Sequence, residues 1–311
     1  MTRIRIVSPT FIPAKYYERY QSLKELDVGI MVTVDFGFLP QSLEILKIEE
    51  LYEIAEPPGA EVPQNLKVFK AGVRNALKTY LDLVHQMKNL GVLKICDSPL
   101  ANIDDLKLPE SKIKKLSLVS CQYLTKFSSL LRFPNLKRLL LDNCRFPLEL
   151  FQDESGLAKL RTFKFKTKMP LVWRNNLNDL KFPQGLTRLA LEGEFVLDNW
   201  QVPEKIRTLH LMCTNFVDIS NFKLPPDFVY FEIERSKVKN LDGLQFPTGL
   251  LVLVLERNEN LCSMSNTNLP KLTEFMDVRA YFDDSKPNAT EKTRTLLTSI
   301  GRRVAFPMVV N

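Results

Sequence analysis

The chain has 311 residues, of which 45% are apolar and 25% charged, and its formal net charge is +7. This composition is that of an ordinary globular or repeat protein. No segment approaches the roughly 18 to 20 apolar residues of a membrane span, and the alternating charged and apolar residues at the start do not resemble a signal peptide. We therefore expect an intracellular protein, cytoplasmic or nuclear, that makes no membrane contact and whose charge favours acidic partners.

A short apolar pattern recurs along the chain, with apolar residues at a first position, s, and at s+3 and s+5. The copies begin at Met1, Leu23, Leu43, Leu66, Leu90, Ile113, Leu136, Leu160, Leu186, Ile206, Phe228, Leu250 and, in degraded form, Leu272. The intervals range from 20 residues, between Leu23 and Leu43, to 26 residues, between Leu160 and Leu186. Repeats of this length predict a solenoid in which each copy packs on its neighbours.

Each copy is predicted to form one short strand of about five residues. Because side chains alternate along a strand, s+3 and s+5 point inward, while s+2, s+4 and s+6 point outward. Stacking the strands about 4.8 Å apart merges the inward side chains into one core. At s+8, six copies carry a residue that is predicted to hydrogen-bond the turning backbone: Ser98, Cys121, Cys144, Thr214, Ser236 and Asn258.

The segments between the strands are predicted to be extended or a single helical turn, because they are short. A proline precedes the strand in nine copies and suits an extended entry. The stretch 75–87 is the exception, since Leu77, Leu81 and Val84 fit a helical period. The longest interval predicts a loop over 168–176, with Trp173 packed beneath it or, less favoured, exposed for binding. Residues 1–280 then form about 13 repeats, and 281–311 form a linker, a helix over about 290–302 and a C-terminal cap.

The segment from Phe133 to Cys144 reads apolar-Pro-x-Leu-x-x-Leu-x-Leu-x-x-Cys, which resembles the leucine-rich repeat. The resemblance implies an α/β solenoid, right-handed and curved, with a parallel β-sheet on the concave face and short helices or extended segments on the convex face. The Leu/Phe-Pro opening is similar to that of fungal F-box proteins, whose repeats recruit substrates to a ubiquitin ligase, although no F-box is visible here. Bacterial effector ligases share this opening but carry a catalytic cysteine in a large C-terminal domain.

The sequence offers no recognisable catalytic chemistry. The two histidines, His85 and His210, have no second metal ligand near them in sequence, and no phosphate loop or nucleophile motif occurs. The five cysteines form no C-x-x-C pair, so free thiols are expected. A redox or metal pair at Cys121 and Cys144 is less favoured, because the s+8 pattern already explains them. We therefore predict no enzyme activity, no cofactor and no metal.

The outward positions predict the binding surface. Basic residues dominate the first two-thirds of the sheet, and we expect a partner to contact Lys47, Lys70, Lys94, Lys115, Arg138, Lys164, Lys166 and Arg188. The last third instead carries Glu192, Glu234 and Glu256. Adjacent like charges repel one another, so an anionic partner would reduce the repulsion within the lysine row.

The chain is therefore predicted to be a non-catalytic protein-recognition scaffold. Two alternatives remain open: binding of nucleic acid or another polyanion, which the lack of interleaved aromatic residues disfavours, and regulation of an enzyme such as a phosphatase. A charged face kept only for solubility is also possible.

Overall fold

In the computed structural model the chain divides into two compact units, Met1–Thr162 and Phe163–Asn311. The structure describes residues 2–6, 19–35, 39–55, 61–73, 77–153, 156–167, 177–197, 200–215, 219–258, 260–261 and 266–268. The predicted Trp173 loop and the predicted linker, helix and cap after residue 280 lie outside the described residues.

The first unit contains a parallel sheet whose strands follow the order of the chain. Its strands are β1 (Arg3–Ile6), β2 (Glu25–Asp35), β3 (Ile45–Ala55), β4 (Val68–Val73), β5 (Val92–Cys96), β6 (Lys115–Val119) and β7 (Arg138–Asp142). Every neighbouring pair is parallel. Equivalent repeat positions face one another, as in the pairing of Leu116 with Leu139. The predicted register of the repeats is confirmed.

The second unit has the same construction. Its strands are β8 (Thr162–Lys166, whose first residue belongs to the first unit), β9 (Arg188–Glu192), β10 (Thr208–Met212), β11 (Tyr230–Glu234) and β12 (Val252–Glu256). The strands from β9 to β12 pair in parallel, with Leu189 opposite Leu209 and Leu209 opposite Phe231. The fold class is therefore the predicted leucine-rich-repeat type of solenoid.

The residues at s, s+3 and s+5 form the part of the core that lies against the sheet, and apolar residues of the connecting segments, such as Phe127 and Leu130, complete it. In the repeat that carries β7, Leu136 and Leu139 are 0% exposed and Leu141 is 1% exposed. A strand of five residues cannot bury its own apolar side, so each repeat depends on the repeats that flank it. Each buried leucine contributes about 1.5–3 kcal/mol to stability.

A left-handed residue at s+7 ends most of the five-residue strands. It occurs as Asp97, Ser120, Asn143, Cys213, Arg235 and Arg257, with φ between 49° and 55°. The amide of this residue continues the sheet hydrogen bonds, as Ser120 donates to the carbonyl of Asp142 at 2.7 Å and Arg235 to that of Glu256 at 2.9 Å. These bonds hold a conformation that costs a residue with a Cβ about 1–2 kcal/mol.

The s+8 residues are buried and hydrogen-bonded, as predicted. In the second unit, Thr214 Oγ1 lies 2.8 Å from Ser236 Oγ, and Asn258 accepts from the Ser236 amide at 2.9 Å while donating to the Ile233 carbonyl at 2.8 Å. In the first unit, the Cys144 thiol donates to the Asp142 carbonyl at 3.4 Å. These side chains therefore satisfy buried groups of the preceding repeat or of their own repeat, which keeps the turning backbone from being left unpaired.

The segments behind the sheet match the predicted short turns. Within the described residues, 3₁₀ helices occur at Ile103–Leu106, Ser128–Arg132, Leu148–Phe151 and Leu177–Asp179. The predicted longer helix is present as α1, Leu77–Gln86. It buries Tyr80, Leu83 and Val84, and Met87 just after it is buried too, whereas Leu81 is only half-buried. The predicted helical period is correct. The buried face of the helix is shifted by about one residue from the predicted face, which included Leu81.

Strands β2 and β3 are longer than predicted. Each has 11 residues, and they remain paired through Asp35 and Ala55. The pairing thus continues beyond the five residues that the repeat pattern predicts. Between Ile48 and Leu51 the pairing of β3 with β4 shifts register. Beyond that point this strand pair no longer follows the repeat register.

Tyr80 provides a test of packing in the first unit. It is 0% exposed, its ring stacks on Phe69 at 5.4 Å, and its hydroxyl has no hydrogen-bond partner within the described residues. A buried unsatisfied hydroxyl costs about 1–3 kcal/mol. We therefore expect Tyr80→Phe to raise the free energy of unfolding by about 1 kcal/mol in urea titrations. A clear loss of stability would mean that the hydroxyl has a partner, such as an ordered water.

Candidate functional site

The outward face of the first unit has a central row formed by the s+4 residues. In order across the strands, this row is Arg5, Asp27, Lys47, Lys70, Lys94, Ser117 and Leu140. Neighbouring strands lie about 4.8 Å apart, so successive side chains in the row can interact directly. The row begins with mixed charges and continues with three consecutive lysines.

Lys47, the first of the three lysines, is neutralised. Its Nζ lies 2.7 Å from Glu25 Oε1 and 3.8 Å from Asp27 Oδ2. Arg3 and Arg5 contact the same two carboxylates, at 3.4 and 3.9 Å. The hydrogen bond from Lys47 lowers the pKa of Glu25. Lys47 was predicted as a binding residue, yet it already belongs to a closed charge network. The sequence prediction did not consider Glu25, which stands at s+2 of β2. Its position beside Lys47 in the aligned repeats could have revealed this ion pair.

Lys70 and Lys94 have a different environment. They face each other in adjacent strands, both are half-buried, and no carboxylate among the described residues forms an ion pair with either. The outward residues beside them on their own strands are Val68, Gly72, Val92 and Cys96. Like charges directly opposite each other destabilise a sheet. The Lys70 charge contributes to the lowered pKa of Glu25 on β2, but neither lysine is held by a direct ion pair among the described residues.

Two further predicted cations continue this face. Lys115 on β6 and Arg138 on β7 lie opposite each other, and Arg138 is exposed while Lys115 is half-buried. The acidic outward residue of these two strands is Asp142 at the end of β7. We refer to Lys70, Lys94, Lys115 and Arg138 as the cationic patch.

The three remaining predicted residues belong to β8 and β9 in the second unit. Lys164 and Arg188 are exposed, whereas the Lys166 ammonium lies 3.0 Å from Glu192 Oε2. Glu192 is 7% exposed and also lies 3.9 Å from Arg235. Lys166 is therefore engaged in an ion pair within its own unit.

The acidic residues of the second unit are paired rather than free. Glu234 is 7% exposed and lies 2.8 Å from Arg235, and Glu256 lies 3.5 Å from Arg257. Burial raises the pKa of Glu234. The outward position of these acids was predicted, but their arginine partners at s+7 were not, because only the left-handed turn brings s+7 beside s+6.

A cluster of His210, Tyr230 and Glu232 lies on the same face of the second unit. Glu232 accepts a hydrogen bond from His210 Nδ1 and another, at 2.9 Å, from the Tyr230 hydroxyl. The ring centroids of His210 and Tyr230 are 4.7 Å apart. The hydrogen bond from His210 lowers the pKa of Glu232. Valine 254, the next residue in this row, was predicted to face solvent but is 8% exposed, because it is shorter than the glutamates at the neighbouring outward positions.

The two glutamates predict opposite pH effects. Glu232 has a lowered pKa when folded, so its ionised form contributes stability that is present above the unfolded pKa of about 4.3 and is lost as the pH falls through the folded value. Glu234 has a raised pKa, so its ionisation opposes folding. We expect Glu232→Gln to lower the unfolding free energy at pH 7 by up to about 1 kcal/mol, with the difference vanishing at acidic pH. Glu234→Gln should leave the unfolding free energy at pH 7 unchanged or raise it. Equal losses in chemical melts would contradict this assignment.

Within the part of the chain that the structure describes, no group of three His, Cys, Asp or Glu residues could hold a metal ion. The Cys144 thiol beside it and burial both raise the pKa of Cys121, which keeps Cys121 protonated. Among the described helices, none is long and apolar enough to cross a membrane.

Comparison of the sequence with models of known families and with curated proteins finds no match. Among solved structures, the fold is similar to that of an internalin from Listeria monocytogenes. The two share 12% sequence identity, the alignment covers 93% of this chain and 76% of the internalin chain, and the TM-score is 0.51. At this identity the likeness concerns the fold alone, and it agrees with a leucine-rich-repeat solenoid.

Proposed function

We propose that this chain is a protein-recognition scaffold that binds an acidic partner on the outward face of its sheet, through the cationic patch. The observation that supports the proposal is the contrast within one row of the first unit. Lys47 is neutralised by Glu25 at 2.7 Å, whereas Lys70 and Lys94 have no carboxylate partner within the described residues. Uncompensated like charges on a sheet are unfavourable, and an anionic partner would remove that cost.

The face is also suited to recognition by its construction. A repeat fold presents many outward side chains in fixed register, so the spacing of charges is set before the partner arrives. Rows of charged groups accelerate encounter with a complementary surface and exclude partners of like charge. Lys164 and Arg188 of the second unit remain proposed contacts, whereas Lys47 and Lys166 would have to exchange an existing ion pair to contribute.

The finer role that we propose is that of a substrate receptor in an assembly of the ubiquitin-ligase type, acting inside the cell and without catalysis of its own. In this proposal residues 1–280 form about 13 repeats and 281–311 cap them. Regulation of an enzyme would use the same face, and the identity of the captured partner distinguishes the two roles.

The test is capture of partners from a native extract by the wild-type chain and by Lys70→Glu/Lys94→Glu. We expect captured partner to fall at least about tenfold, equivalent to about 1.4 kcal/mol, with little change in folding because outward substitutions are mild. The matched control is Lys88→Glu/Lys112→Glu, which makes the same charge change at exposed turn residues.

Salt and nuclease distinguish the kinds of partner. Capture should weaken as ionic strength rises, because surface charges are screened over about 8–10 Å at physiological salt. A protein partner survives nuclease treatment, and a nucleic acid does not. Unchanged capture by the Lys70/Lys94 variant would refute the proposed surface.

A further inference from the structure

We propose that Lys70 and Lys94, with Ser117 at their side, form a subsite for one phosphorylated side chain of the partner. This inference rests on the proposed function and specifies its chemistry. The three residues are consecutive in the central row of the first unit, with Lys70 opposite Lys94 and Lys94 opposite Ser117. Their strands are about 4.8 Å apart, so the two ammonium groups can converge on one group.

The charge of the two lysines indicates which kind of anion the subsite would bind. Two lysines present two positive charges, and the outward residues that flank them on β4 and β5 add no negative charge. Cys96 is the one flanking group that could ionise, and burial raises the pKa of its thiol, so it stays neutral. A carboxylate would balance one lysine only. A phosphoserine or phosphothreonine carries about −1.5 to −2 charges at neutral pH and offers three acceptor oxygens, which matches both ammonium groups.

Ser117 supplies a hydrogen-bonding group beside the two lysines. Ser117 is 8% exposed, and its hydroxyl makes no hydrogen bond within the described residues. That hydroxyl can donate to an oxygen that the lysines leave unoccupied.

Lys47 shows why the subsite is limited to these residues. It lies in the same row, opposite Lys70, but Glu25 and Asp27 already hold it. A phosphoryl group placed beside Lys47 would be repelled by those two carboxylates. The anion-accepting part of the row therefore begins at Lys70.

The experiment uses three fluorescein-labelled degenerate peptide libraries that differ only in a fixed central residue: phosphoserine, aspartate or serine. Binding to the full chain is measured by fluorescence anisotropy at physiological salt. We expect the phosphoserine library to bind at least tenfold more tightly than the aspartate library. Lys70→Gln/Lys94→Gln should remove this preference, and Lys70→Arg/Lys94→Arg, which keeps both charges, should retain it. Ser117→Ala should weaken binding about threefold.

The matched control is Lys88→Gln/Lys112→Gln, which should bind like the wild type, and circular dichroism melts of each variant verify folding. A phosphoserine preference that persists in the Lys70→Gln/Lys94→Gln variant would overturn the subsite. Equal binding of the aspartate and phosphoserine libraries, lost together in that variant, would overturn phosphate recognition and leave the proposed acidic-partner surface standing. If neither the phosphoserine nor the aspartate library binds better than the serine library, the subsite is also overturned. Partner capture from the extract then tests the proposed function separately.

Discussion

Replacing Trp200 by alanine is expected to lower the free energy of unfolding by about 3–5 kcal/mol, the range for truncating a buried aromatic residue. Trp200 is 2% exposed and is among the largest fully enclosed side chains of the second unit. Its ring packs edge-on against Phe182, with centroids 6.4 Å apart, and against Phe222 at 5.7 Å. Alanine would leave a cavity between two aromatic rings that come from the preceding and following segments.

The effect should be measured by circular dichroism during urea unfolding, because the substitution removes one of the two tryptophans and thereby alters fluorescence. Trp200→Phe serves as the matched variant and should lose less, since it preserves the aromatic contact with Phe222 while deleting only part of the volume. A loss below about 1 kcal/mol for Trp200→Ala would show that the cavity refills or that the ring is not enclosed in solution.

The second large effect is expected at Leu139, where alanine should cost about 2–5 kcal/mol. Leu139 is 0% exposed at s+3 of β7 and lies opposite Leu116 of β6. The adjacent Leu140 is half-buried and faces outward in the central row. Leu140→Ala removes the same atoms from the same strand and should cost much less, which makes it the natural control.

Urea titrations of the two variants test the register directly. Comparable losses at Leu139 and Leu140 would place both residues in the core, which a parallel strand with alternating side chains does not allow. A larger loss at Leu140 would mean that the strand is inverted. In either case the assignment of Lys70 and Lys94 to the outward face would fail with it, because they occupy the same repeat position as Leu140.

The sequence was sufficient to predict the core and the strand register. The inward side chains of a repeat depend only on spacing, so Leu116, Leu139 and Leu209 could be placed without knowledge of their neighbours. The same holds for Cys144 and Asn258, whose position after the strand predicts a role in the turn. Strand length was harder to predict, because the repeat pattern does not specify how far β2 and β3 remain paired beyond it.

The state of each charge was less predictable. Lys47 and Lys70 occupy equivalent positions and are indistinguishable in a single repeat, yet one is held at 2.7 Å by Glu25 and the other is not. The difference depends on which residue stands at s+2 of the preceding strand. Likewise, Arg235 pairs with Glu234 at 2.8 Å only because the backbone turns left-handed at that residue. A list of outward cations therefore overestimates the surface that is available to a partner.

The hydrogen bonds that join Thr214, Ser236 and Asn258 make the evolution of one repeat depend on that of the next. An apolar mutation at Ser236 would orphan the Thr214 hydroxyl, 22 residues away, whereas Asn258 accepts from the Ser236 backbone amide and would keep that bond. Such a mutation becomes tolerable when Thr214 changes with it. These positions are therefore expected to show strong epistasis, and homologous chains should exchange them as sets. Outward positions without an ion pair to a neighbouring repeat, such as Lys70 and Lys94, are free to diversify singly as partners change.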